Sequence, residues 1–131
     1  MKMYAYRVVA LMVALAPVGA LAGSLVGSYA EARKVWEQSR SKAEYQVYAT
    51  EFAQFNNHFQ IDEKSGCHSM GTEPVSLMLV ITHPAGGPYA VVEHVFSDVD
   101  TDKARCFTKA YSGVQTKVPP FMPFVVQTDM R

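Results

Sequence analysis

The sequence predicts a small α+β domain: an N-terminal helix or helix pair packed on a small antiparallel sheet built in β-hairpin–α–β order. Three observations carry this. Aromatic and small residues recur at alternating spacings of three and four through 28–58, the period of a helix that buries one face. From Val75 the period falls to two, that of a strand. Between these regions, 62–74 (DEKSGCHSMGTEP) has the Asp, Gly, Ser and Pro density of a loop.

Ahead of the domain, Met1–Arg7 carries Lys2 and Arg7 and no acid, and Val8–Ala16 is an unbroken apolar run. Pro17 and Gly19 interrupt it, and Ala20-Leu21-Ala22 offers small residues two apart. A basic start, a short apolar core and a small-residue exit make a secretory signal peptide. The run is about half of the roughly 20 apolar residues that a membrane span requires. Residues 1–22 are therefore expected to be removed, leaving one domain over 23–131, periplasmic or secreted, with no membrane anchor after cleavage. No Cys lies near the cleavage point, which excludes a lipid anchor there.

Removing 22 of the 131 residues leaves 109, which buries about two-thirds of its unfolded surface. Without Lys2 and Arg7, the 12 basic residues fall to 10 against 12 acidic ones. A slightly negative domain with no basic run excludes nucleic acid and anionic membrane as partners, since both require concentrated positive charge. Both cysteines, Cys67 and Cys106, fall in the exported part. In an oxidising compartment two such thiols are expected to pair, closing a loop that stabilises by ~4 kcal/mol. The alternative is two buried free thiols acting as small hydrophobes.

Ser28-Tyr29-Ala30-Glu31 reads as a capping box, with the Ser hydroxyl on a first-turn amide and the Glu reaching back to the Ser amide. Tyr29, Ala32, Trp36, Ser39 and Ala43 form one stripe; Tyr45, Tyr48, Phe52, Phe55 and Phe59 form another, two residues out of phase. The slip lies beside a second Ser-x-x-Glu, Ser41 to Glu44, so the region is either one helix kinked near 40–44 or two helices. Asn56-Asn57 marks its expected end. Five aromatics at helical spacing predict a face packed on a sheet, not a stacking site for a ligand.

Val75, Leu77, Leu79 and Ile81 alternate with Ser76, Met78, Val80 and Thr82, a strand with one strongly and one moderately apolar face. His83–Pro88 is a turn and Tyr89–Phe96 a second strand, giving a hairpin over 75–96. A helix over 101–112 follows, capped by Asp98 or Asp100, with Ala104, Phe107, Ala110 and Tyr111 inward and Gly113 at its end. Pro119, Pro120 and Pro123 force an extended, edge-like lead into a closing strand over 124–128.

The succession VSLMLVITH, PAGGP, YAVVEHVF, TDKARCFTKAYSG and FVVQT resembles the C-terminal domain of TonB-type energy transducers over about 75–128. That resemblance implies a periplasmic domain that engages a partner through an exposed sheet edge. The chain lacks the uncleaved membrane helix and long proline-rich spacer of those proteins, so energy transduction from an inner-membrane motor is not expected. Gly66-Cys67-His68, Arg105-Cys106-Phe107, Tyr111, Gly113 and PPFMPF also resemble small exported bacterial proteins without an assigned role, a likeness that brings no function.

The histidines His58, His68, His83 and His94 show no metal-ligand spacing, and no metal is expected. Glu93 and His94 are neighbours on a strand and should face opposite sides. No C-x-x-C, G-x-S-x-G, P-loop or G-x-G-x-x-G occurs, so neither a cofactor nor a catalytic residue is expected. Asp98, Asp100 and Asp102 are explained by helix capping. Two functions of different class remain. One is a non-catalytic binding or accessory module whose protein partner docks on a sheet edge or on the stiffened PPFMPF segment, with Phe121, Met122 and Phe124 as contacts. In that segment Phe124 is the better core candidate and Phe121 is open. The other is a small enzyme using Cys67, His68 or His94, which requires Cys67 to be a free thiol.

Overall fold

A computed structural model describes residues 26–59 and 61–130; the expected signal peptide, residues 1–22, lies outside them. The chain is α+β, with helices α1 (Tyr29–Ser39) and α2 (Ala43–Phe59), strands β1 (Val75–Thr82) and β2 (Ala90–Ser97), helix α3 (Asp102–Tyr111), and strands β3 (Gln115–Thr116) and β4 (Phe124–Met130). Single helical turns at Ile61–Lys64 and Cys67–Met70 occupy the expected loop, and another at Pro84–Gly86 joins the hairpin. The four strands form one antiparallel sheet in the order β3-β2-β1-β4.

The helical half is two helices. Ser28 caps α1 by accepting the Glu31 amide at 3.2 Å, but the Glu31 carboxylate reaches past Ser28 to the Gly27 amide at 3.0 Å. The chain leaves the helix at Arg40 and restarts with the Gln46 amide on the Lys42 carbonyl at 3.2 Å. Ser41 therefore falls outside the first turn of α2, and the second capping box is not built. The Asn pair does not end α2, which runs on to Phe59.

The phase slip between the two stripes has a structural cause. Ala32 of α1 packs with Met78, Val80 and Val125 on one face of the sheet. Tyr45, Tyr48 and Phe52 of α2 pack with Leu77, Leu79, Ile81 and Val126 on the other, beside Phe107 and Tyr111 of α3. The helices cover opposite faces, so the chain must turn around the edge of the sheet between them. That explains β1, whose every residue except Ser76 is buried: a central strand covered on both faces reads as continuously apolar. Each such fully buried Leu or Ile contributes about 1.5–3 kcal/mol.

Three expectations in the second half are corrected. The cap of α3 is Thr101, whose hydroxyl accepts the Ala104 amide at 3.1 Å. Asp98 instead accepts the Ser76 amide at 2.9 Å, and Asp100 and Asp102 both hold Arg105. The module over 75–131 is ββαββ, because Gln115–Thr116 pairs with Ala90 and Val91; two residues carry no readable period. Gly113 does end the helix, at φ +80°, a conformation that costs glycine little. The closing strand runs to Met130 and lies against β1. Lys103 is buried along its stem and donates to the Glu73 carbonyl at 3.1 Å, tying the start of α3 to the lead into β1.

Candidate functional site

Cys67 and Cys106 are joined in a disulfide, with their Cα atoms 5.5 Å apart and a sequence separation of 39. It fixes the Cys67–Met70 turn to the side of α3. Cys67 is fully buried, and a sulfur in a disulfide has no thiolate with which to attack. His68 is exposed, with its ring edge-on to Phe107 at 5.0 Å between centroids. His83 bonds within its own turn, to the Gly87 carbonyl. The side chain of His58 lies outside the described residues.

Glu93 and His94 depart from the expectation that they face opposite sides. The register slips between Val80 and Ile81, which pair with His94 and Val92. Glu93 is the extra residue of a β-bulge, and both side chains come out exposed, with His94 Nε2 3.7 Å from Glu93 Oε1 and the His94 ring stacked on Phe96. Among the described residues, no three His, Cys, Asp or Glu side chains converge on a point that could hold a metal ion.

The PPFMPF segment is largely turned inward. Phe124 is fully buried, with its ring against Tyr45 at 5.0 Å, Tyr48 at 4.6 Å and Phe121 at 5.0 Å. It cannot serve as a surface anchor: a strand residue on the helix-covered face is enclosed by the aromatic stripe of α2. Phe121 is half-buried against the same core and lies under the Lys42 ammonium, 4.7 Å from the ring centroid. Met122 is the member of the trio left exposed.

The two edges of the sheet differ. At β4 the first turn of α2 meets the strand, with the Tyr45 ring stacked on Phe124 at 5.0 Å. Burial raises the pKa of Tyr45 there, and hydrogen bonds to the Trp36 side chain and the Gln127 backbone pull against that rise. At β3 the edge is open. Beside it, two adjoining clefts of about 660 Å³ and 400 Å³ run between α2 and the strand. Phe55, Ile61, Tyr89 and Val114 line the wider one; Tyr48, Phe52 and Phe55 line the narrower. Lys117 and Glu51 meet at their rim at 3.2 Å, and Tyr89 is 61% exposed. Clefts of a few hundred cubic ångströms with aromatic walls and few polar groups are the usual form of a binding site.

Searches find no match to this chain among family models, curated proteins or solved structures.

Tyr48 organises the cleft floor. Its hydroxyl donates to the Lys117 carbonyl at 2.6 Å and shares a 3.1 Å contact with the Thr116 hydroxyl, linking α2 to the end of β3. Burial pushes its pKa up to about 12, with the Thr116 hydrogen bond opposing and the Glu51 charge assisting. It is thus a neutral hydrogen-bonding group at any physiological pH. In the sequence Tyr48 and Phe55 belong to a packing stripe, and the cleft is not legible there because its other wall is the two-residue β3. Tyr89, a large aromatic next to the turn glycines, was the one visible signal.

Proposed function

We propose that this chain is an exported accessory module that acts by binding a protein partner, and that the β3 edge with its clefts is the contact surface. The observation that carries the reading is an open strand edge lying directly beside an aromatic-walled cleft. Such an edge offers main-chain hydrogen bonds for affinity, and the cleft offers side-chain discrimination. The other candidate surface, PPFMPF, has its best anchor Phe124 enclosed in the core. The resemblance to TonB-type C-terminal domains leads to the same kind of surface.

Export is supported by the leader-like residues 1–22 and by the Cys67–Cys106 disulfide, which suits an oxidising compartment. Among the described residues no helix is long and apolar enough to cross a membrane. Binding in place of turnover is supported by Cys67 being locked in that disulfide and by Glu93 and His94 standing alone on an exposed bulge.

The test is retention of a partner from an envelope extract by the immobilised protein and by Tyr89→Asp. Tyr89 is mostly exposed, so the variant should keep its melting temperature. A protein retained by the wild type and lost from the variant is the expected result; equal retention contradicts the surface. An activity that disappears in a stably folded His68→Ala or His94→Ala variant would establish an enzyme instead.

A further inference from the structure

We infer that the partner anchors itself in the clefts beside β3 with an uncharged aromatic side chain carrying one hydrogen-bond donor, tryptophan or tyrosine, an assignment that rests on these clefts being part of the contact surface. The clefts of about 660 Å³ and 400 Å³ share Phe55, Thr116 and Lys117, and so form one trough. Its sides are rings and branched chains, with Tyr89, Ile61 and Val114 at the wide end and Phe52 at the narrow end. Rings such as Phe55 and Tyr89 favour a further ring laid offset or edge-on against them.

The hydrogen bonds of the floor select the polar end of the occupant. Tyr48 has a single hydroxyl hydrogen and gives it to the Lys117 carbonyl at 2.6 Å. In its 3.1 Å contact with the Thr116 hydroxyl, Tyr48 must therefore accept and Thr116 donate. The bonds run from Thr116 to Tyr48 to Lys117, and both hydroxyl hydrogens are spent. What remains is acceptor capacity, on the Thr116 oxygen and on the second lone pair of the Lys117 carbonyl. The charged residues lining the trough, Lys117 and Glu51, hold each other at 3.2 Å.

A carboxylate or phosphate has no hydrogen to give to such a floor. An arginine or lysine side chain has hydrogens, but it would bring a charge against apolar walls where Glu51 is already engaged by Lys117, a costly desolvation. Phenylalanine or leucine suits the walls, yet it strips water from the floor acceptors and returns nothing. Tryptophan and tyrosine match both parts, with a ring for the walls and one N–H or O–H for Thr116 or Lys117. Such a ring is held by only two χ angles, so seating it costs little conformational entropy. The anchor is a side-chain contact and leaves the bond from Tyr48 to Lys117 intact.

Indole and benzofuran, alike in shape and differing in one N–H, test the floor. Each is titrated into the protein recovered from the envelope, up to about 1 mM, and followed by the amide NMR shifts of Val114–Lys117. Partition into cyclohexane, which accepts no hydrogen bond, gives the ratio of affinities that apolar walls alone would produce. Indole should shift these amides, and its affinity relative to benzofuran should exceed that ratio by at least about tenfold. Tyr89→Asp should weaken both ligands, and excess indole should release the envelope protein that the immobilised wild type retains. Absence of indole shifts at these amides overturns the inference, as does a ratio equal to that of cyclohexane. A protein retained by the wild type, lost from Tyr89→Asp and not released by indole removes the aromatic anchor and leaves the contact surface standing. Indole bound with no protein retained overturns the side-chain source and gives the trough to a free aromatic molecule. Neither indole bound nor protein retained removes both readings.

Discussion

Phe124→Ala separates a core role from a surface role for the PPFMPF segment. Truncating a fully buried Phe costs about 3–5 kcal/mol, because transfer and cavity terms add. Phe124 is fully buried and shares ring contacts with three aromatics, Tyr45, Tyr48 and Phe121; each pair adds about 0.5–1.5 kcal/mol, which places the loss toward the upper end. At about 4 °C per kcal/mol for a domain near this size, the melting temperature should fall by roughly 15 °C or more. Phe121 is half-buried and keeps one ring contact and the Lys42 ammonium, so Phe121→Ala should cost about 1–2 kcal/mol. Thermal unfolding followed by circular dichroism measures both. A Phe124→Ala protein within a few degrees of wild type, or a Phe121→Ala protein hit harder than Phe124→Ala, would refute the inward orientation of the segment.

Three further outcomes are expected. Thiol titration of unfolded, unreduced protein should find no free thiol, and reduction should cost about 4 kcal/mol for a loop closed across 39 residues; two titratable thiols, or an unchanged melting temperature on reduction, would count against the bond. Leu79, fully buried in the central strand, should not tolerate Asp, because an unpaired carboxylate would enter the core; a cooperatively folded Leu79→Asp protein would place the wrong strand at the centre. Tyr48 ionises near pH 10 when unfolded and at about 12 when folded, so the folded state holds its proton longer. Its contribution is complete below pH 10 and is lost as pH rises to 12, by about 2 kcal/mol. Tyr48→Phe should flatten that decline, and an identical alkaline profile in the variant would show that Tyr48 is not buried and bonded as described.

The elements with long periods were legible in the sequence, and the elements defined by a partner were not. Tyr45, Tyr48 and Phe52 announce a packed helix face, and Leu77, Leu79 and Ile81 announce a strand, because each repeat spans several turns or pleats. The two stripes out of phase were visible, but not that they embrace opposite faces of one sheet; that depends on the central place of β1. The cap of α3 went to Thr101 and not to a neighbouring aspartate because Ser76 and Arg105 recruit the carboxylates, contacts made across the fold. The bulge at Glu93 inverts the alternation after it, but with Val91 and Val92 before it and Val95 and Phe96 after it both parities are apolar, so the inversion cannot be read in this strand. The candidate site was least legible of all: one of its walls, Gln115–Thr116, owes its strand geometry wholly to Ala90 and Val91.

Site-directed photo-crosslinking in intact cells tests most directly whether the β3 edge is the working surface. A photoreactive side chain placed at Tyr89 beside the wider cleft should give a discrete adduct with one protein, whereas the same group at Val47, equally exposed on α2, should give none. A discrete adduct from position 47 with none from position 89 would contradict the assignment.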